Sequence, residues 1–297
     1  MPTMDRQLSD SLILAPLRGV TVRCFREVFA DAIRDAGFTE AITPFIAANA
    51  GVDPIGGYEL RGTAGRRHCG ISTCKLTPQF IGKDPEALRA CLVRVKEAGY
   101  DTADLNCGCP YPMVRKKGRG CGILSSPDVL ERMLSVGCEV MGEGRFSVKT
   151  RLGVDRNDEL LSLMPLFNAY PLRFLAVHAR NARQMYDGEC DWDAYAQVAS
   201  VAKMPLVPNG DLPLCAPDVT GPRMVGRAFV RSLGEREDIG TLMADYISAS
   251  SEELFGERAV LGRMKELFAY WREIPRWRRL WPVVKLTRTI SELRKLF

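Results

Sequence analysis

Residues 76–106 read LTPQFIGKDPEALRACLVRVKEAGYDTADLN, and this stretch decides the fold. Leu76–Ile81 is a short β-type run. Asp84-Pro85 opens a helix and Gly99 closes it, with Leu88, Cys91, Leu92 and Val95 on one apolar face. Thr102–Asn106 is a second β-type run. Strand, amphipathic helix and strand in about thirty residues make a parallel βαβ unit. The same alternation extends in both directions. Further strands are expected at Leu12–Ala15, Phe38–Thr43, Phe146–Lys149, Phe174–His178, Pro205–Asn209 and Arg223–Gly226, and a helix at Pro127–Val136 that stops at Gly137. Eight strands alternating with helices predict an α/β fold, a (β/α)8 TIM barrel, over residues 1–240. The first turn, Ala15-Pro16-Leu17-Arg18-Gly19, lacks the GxGxxG form that an open nucleotide-binding sheet carries there.

Two connections are unusual. Residues 44–75 are long and rich in glycine, whereas 211–226 is too short and too rich in proline for a crossover helix. From about Thr241 the pattern is wholly helical, with Val260, Met264, Leu267, Phe268 and Trp271 on one stripe and Leu286, Ile290, Leu293 and Phe297 on another. A small all-helical domain over 241–297 is therefore expected. The net charge of +5 is unevenly spread: residues 258–297 hold 11 Lys/Arg against 3 Asp/Glu. A basic helical end on a near-neutral body points to a polyanionic partner.

Ten cysteines in a chain of 297 residues do not form a disulfide framework, and the apolar stretch from Leu12 to Leu17 is too short for a signal core or a membrane span. These features predict a reducing cytoplasm and no membrane. The Cys107-Gly108-Cys109 spacing, even with Cys121, Cys69 or Cys74 recruited, is not a zinc pattern, and two histidines add little, so no metal is expected.

In a barrel of this kind reactive groups collect at the C-terminal strand ends. Those positions hold Pro16, Gln79, Asn106 with Cys109 beyond it, Lys149, His178, Asn209-Gly210-Asp211 and Gly226-Arg227. Gly210 and Gly226-Arg227 suit a phosphate, Lys149 suits the negative charge of a reduced flavin, and Gln79 suits a ring edge. Cys109 opens a loop where a thiol of pKa about 8.5 can donate a proton at neutral pH. Arg115, Lys116 and Lys117 follow in that loop and would meet phosphates if it overhangs a site. In the tail, Trp271, Trp277 and Trp281 read as packing residues, leaving Arg272, Arg276, Arg278 and Arg279 as the phosphate contacts.

The chain resembles the flavin-dependent tRNA-dihydrouridine synthases over almost its full length. The resemblance rests on LAPLRGVT (14–21), QFIGKDPEAL (79–88), AGYDTADLNCGCP (98–110), SVKTRLG (147–153), VHARNARQMYDGECDW (177–192), PNGD (208–211) and MVGRAF (224–229). It implies FMN as cofactor, NADPH as reductant, tRNA as partner and a helical domain that grips the tRNA, with a monomer sufficing. It further implies hydride transfer from the flavin to C6 of a uracil, protonation of C5 by Cys109, and positioning of the base by Asn106. Pro16, Gln79, Lys149, His178, Asn209, Gly226 and Arg227 correspond to flavin-contacting positions, and Arg180 to a residue near the substrate mouth. The chain departs from the family pattern at Arg18, where a small or acidic residue is common, and at Ala179, where glycine is usual. Two other readings compete: an RNA-binding protein on a barrel that has lost its flavin through the short 211–226 segment, and a small-molecule flavin reductase. Bound yellow flavin separates the first from an enzyme, and loss of the basic tail without loss of activity would favour the second.

Overall fold

The computed structural model describes residues 11–63, 74–214 and 221–296. Ten strands form one sheet: β1 Leu12–Leu14, β2 Phe38–Ile42, β3 Ile46–Ala47, β4 Lys75–Thr77, β5 Gln79–Ile81, β6 Ala103–Cys107, β7 Phe146–Gly153, β8 Leu175–Asn181, β9 Leu206–Asn209 and β10 Arg223–Val225. All pairings are parallel, in the order β3-β5-β6-β7-β8-β9-β10-β1-β2-β4. The two ends of that order meet. β4 and β5 are one strand interrupted by Pro78, which has no N–H to give a ladder. The Pro78 carbonyl still accepts from Asp104 N at 2.9 Å, and Thr43 N donates to Thr77 O at 3.0 Å, so pairing continues on both sides of the break. With β2 and β3 likewise read as one, eight strands close a barrel, as the βαβ alternation predicts.

Inside the barrel the two-residue period sorts the chemistry. Ile13, Ala15, Ile42, Phe174, Ala176, Val207 and Met224 form a separate apolar cluster, distinct from the larger core under the helices. Other interior groups are polar and pair with one another. Arg173 holds Glu40 through both nitrogens at 2.7 and 2.8 Å, and Asp104 accepts from Ser147 Oγ and Gln79 Nε2, each at 2.7 Å.

The helix Pro85–Glu97 begins where Asp84 caps it, its carboxylate accepting from Glu86 N and Ala87 N. The expected stop at Gly137 is corrected: that helix runs from Pro127 to Met141. Gly137 is instead a close-approach position, where an added Cβ would lie 2.0 Å from the Phe146 ring. Gly137→Ala should therefore destabilise the protein by about 1–3 kcal/mol through overpacking, read from its urea midpoint.

β9 and β10 are direct neighbours, and Asn209 Nδ2 donates to Met224 O at 2.9 Å. Pro217 in their connection lies outside the described residues, as do Gly65, Cys69 and Gly70 of the glycine-rich segment and Phe297 of the second apolar stripe. Cys24, Cys91, Cys107, Cys109, Cys121, Cys138 and Cys190 are free thiols, and no helix among the described residues is long and apolar enough to cross a membrane.

Helices Ile239–Glu253, Glu257–Trp271, Pro275–Arg278, Trp281–Leu286 and Ile290–Arg294 complete the chain. The first stripe is buried throughout. The second is corrected: Thr287–Thr289 interrupt the helix, Leu286 is 78% exposed, and among its described residues Leu293 alone is fully buried. Tyr246 packs edge-on to Phe25 and Phe29 at 5.9 and 5.6 Å. Trp271 and Trp277 donate their indole N–H groups to the carbonyls of Val230 and Gly234 at 2.7 Å. These helices are thus keyed into the barrel, and residue 241 falls inside the first turn of one of them.

Candidate active site

A cleft of about 450 Å³ opens at the C-terminal ends of the strands. Pro16, Asn106, Cys109, Lys149, His178, Asn209, Gly210, Asp211, Gly226 and Arg227 all line it, joined from the helical end by Arg272. Residues spread over more than two hundred positions converge because each closes or follows a barrel strand.

Cys109 is held by a buried chain of amides. Asn106 Oδ1 accepts from Gly108 N at 3.2 Å and Cys109 N at 2.9 Å, fixing the turn that carries the thiol. Asn106 Nδ2 donates to Gln79 Oε1 at 2.8 Å, and Gln79 Nε2 donates to Asp104. Gln79 is thus fully buried behind Asn106 rather than lining the cleft. Burial pushes the Asp104 carboxyl up to about 6, opposed by its bonds from Ser147 and Gln79. Burial also raises the Cys109 thiol, against the pull of a Tyr111 backbone bond and of Arg18, Arg151 and Lys149. The sulfur is therefore a protonated thiol at neutral pH. Gly120, at φ +58°, lets the following loop press on this turn, since a Cβ there would sit 2.7 Å from Cys109 O.

Across the floor, burial and then the neighbouring Arg151 lower Lys149 to about 8. Burial and the surrounding cations Arg151, Lys149, Arg180 and Arg227 hold His178 well below its ordinary value, so its imidazole is neutral. Gly210, at φ +116°, lies so close to that ring that a Cβ would be 2.6 Å from His178 Cδ2. Asp211, at φ +42°, receives Arg180 on one carboxylate oxygen and Arg227 on the other.

Arg180 is a correction to the sequence reading: it is 2% exposed, bonded to Gly188 O and Asp211, with Nη1 3.2 Å from His178 Nε2. It braces the floor through these bonds. Arg115 is half-buried and Lys116 and Lys117 exposed on the loop beyond Cys109, outside the lining. Arg276, Arg278 and Arg279 are exposed near Arg272 in sequence but also outside it. Arg276 stacks on Trp277 at 4.9 Å.

Several lining residues escape a reading of the strand ends. Arg151, 2% exposed, donates Nε to Gly108 O at 2.8 Å and Nη1 to Met185 O at 2.7 Å. It stands two positions beyond Lys149 on β7, so the strand period could have revealed it. Tyr186 lies 5.3 Å from both Arg151 and Arg227. Arg18, Phe45, Glu266 and Tyr270 complete the rim. Among the described residues no group of three or more His, Cys, Asp or Glu side chains could hold a metal ion.

Fold and site together define a (β/α)8-barrel protein whose mouth concentrates cations beside a neutral imidazole and a protonated thiol. The chain belongs to the dihydrouridine synthase (Dus) family, whose model matches residues 13–215. It is 31% identical over 207 residues to tRNA-dihydrouridine synthase B of Vibrio cholerae, covering 69% of this chain and 61% of that one. It is 30% identical over 205 residues to the tRNA-dihydrouridine(16) synthase of Ralstonia nicotianae, covering 68% and 61%. The chain thus matches about three-fifths of the length of these curated relatives. Among solved structures, morphinone reductase matches with a TM-score of 0.53 at 12% identity, over 75% of this chain and 83% of that one. The old yellow enzyme homologue of Zymomonas mobilis matches with 0.55 at 12%, over 74% and 85%. These two likenesses carry the barrel fold.

Proposed function

We propose that this protein reduces a uridine of tRNA to 5,6-dihydrouridine, using FMN as cofactor and NADPH as reductant. The observation that carries the reading is the protonated Cys109 thiol sharing one cleft with Lys149, Arg151 and the neutral His178, in a chain of the dihydrouridine synthase family. The residues present fit a phosphorylated flavin. Lys149 makes no ion pair among the described residues, so its ammonium is available to a planar anion. Arg227 and the glycine turns at 210 and 226 offer donors and close backbone approach to a phosphate. When bound, the flavin supplies the hydride that C6 of the uracil receives.

The chain's own groups do the rest. Cys109 Sγ holds the proton that C5 takes up, and burial keeps it there. Asn106 fixes that sulfur through the backbone of residues 108 and 109, and orients the base with what remains of its amide. Lys149 and Arg151 favour negative charge developing beside the floor. A uridine packed in folded tRNA must be extruded to reach the cleft, and Arg115, Lys116, Lys117, Arg272, Arg276, Arg278 and Arg279 supply phosphate contacts that offset the unstacking. The helical end, 241–297, is the tRNA-gripping part, and one copy of the chain carries every group invoked.

The test is direct. Purified protein loaded with FMN and supplied with NADPH should form dihydrouridine in an unmodified tRNA transcript, and RNA from cells lacking the protein should lose one mapped dihydrouridine. A colourless protein that binds tRNA but cannot be loaded with flavin would sink the reading. A pH dependence follows from Lys149. Below pH of about 8 its ammonium is charged, and above that it is neutral and the contact with an anion is lost. Affinity for reduced FMN, whose ring is the anion, measured anaerobically from the midpoint potentials of bound and free flavin, should fall about tenfold between pH 7 and 9, and Lys149→Met should remove that step.

A further inference from the structure

The turn after β1 carries a cation that the chemistry above does not use. It is rigid: Val20 N and Thr21 N both donate to Leu17 O at 3.0 Å, Leu17 N donates to Thr21 Oγ1 at 2.8 Å, and that hydroxyl donates on to Ala15 O at 3.1 Å. Gly19, at φ +79°, completes the turn, and the Glu266 carboxylate lies against it, 2.6 Å from where a Cβ would stand. Arg18 is thereby held at the rim of the cleft, exposed, with its guanidinium 5.4 Å from the centre of the half-buried Phe45 ring. Stacking fixes the plane of a guanidinium while leaving its N–H fork free to bond. Among the described residues Arg18 forms no ion pair, even with Glu266, whose carboxyl feels its charge. Arg272, the neighbouring rim cation, is by contrast paired with Glu273 at 3.3 Å. The charge of Arg18 also reaches Cys109, so the two share one entrance.

We infer that Arg18, braced by Phe45, is a subsite for the phosphodiester joined to the target uridine, and so sets how far the base enters toward Cys109. This rests on the uridine-reductase reading. The fork suits two non-bridging oxygens of one phosphate. Phe45 orients the guanidinium and is a positioning residue.

The experiment uses flavin-loaded protein with two fluorescent uridine trinucleotides, one with phosphodiester and one with uncharged methylphosphonate linkages. Wild type should prefer the phosphodiester about tenfold, and Arg18→Ala should lose most of that preference while Arg18→Lys keeps part of it. Removal of this single contact should also lower the salt slope of binding by roughly 0.7. On a tRNA transcript Arg18→Ala should raise KM about tenfold with the pH profile unchanged, and Phe45→Leu should do the same more weakly. An Arg18→Ala protein that keeps both the full phosphodiester preference and the wild-type salt slope overturns the subsite. Wild-type protein that forms no dihydrouridine in any tRNA overturns the reductase reading and the subsite with it, so the two failures are told apart.

Discussion

Cys109→Ala should keep its bound flavin and lose dihydrouridine formation by roughly 10²–10⁴-fold, the range a positioned general acid supplies. The turn that carries the sulfur is set by backbone bonds to Asn106 Oδ1 and from Cys121 N, none of which involves the thiol. Removing one sulfur therefore leaves the site's shape intact. The loss should appear in single-turnover product formation on tRNA, while flavin absorbance and NADPH-driven flavin reduction stay at wild-type levels. Cys107→Ala is the control: that thiol is fully buried in the core two residues away, so its loss should cost stability and little turnover. Cys109→Ser should sit close to Cys109→Ala, because an unactivated hydroxyl is a far weaker acid than a thiol. Unimpaired turnover in Cys109→Ala would remove the residue from its role and transfer the proton to water or to Lys149.

Asn106→Ala should act on the same step by another route, since it frees the turn and also unpairs Gln79 inside the barrel. That difference illustrates what the sequence makes legible. Strand ends could be read because a two-residue period and a following polar residue are local properties. Asn106, Cys109, Lys149 and His178 are accordingly legible in the sequence as residues of the mouth. Gln79 reads as a strand end in sequence, yet it opens β5 in the middle of the strand that Pro78 interrupts, and its side chain turns inward to Asp104 and Asn106. The burial of Arg180 is hidden for a related reason: β8 continues to Asn181, so this arginine is still within a strand, and Asp211, 31 positions away, pairs with it. Gly137 looked like a helix stop because no local rule reveals that Phe146 needs the space. The rim residues Glu266, Tyr270 and Arg272 depend on how a helix after the barrel docks over β1, which is a long-range packing outcome. The basic tail was legible as charge, and its structural attachment was not.

That attachment yields the last prediction. If the helical end were a separable module, a chain cut after residue 240 would fold as a barrel. The packing argues otherwise. Phe25, Phe29, Phe229, Val230 and Leu233 are at most 1% exposed, and Tyr246, Trp271 and Phe268 belong to the same core cluster. Arg263, two turns before Trp271, donates to Cys24 Sγ at 3.1 Å and pairs with Glu253 at 3.2 Å, and Arg23 reaches the same carboxylate from the barrel side. Removing residues 241–297 would expose this whole face, so the truncated chain should aggregate or unfold rather than retain flavin. Trp271→Ala gives the graded version. It empties a fully buried indole site and leaves Val230 O without its donor, and should cost about 3–5 kcal/mol, read as a drop in the urea midpoint of the full chain. A truncated protein that unfolds in one cooperative step at the wild-type midpoint would make the helices an independent domain. Short of that result, the helical end and the barrel share one core, so on the proposed reading an RNA held at Arg272 would be rigidly placed relative to Cys109.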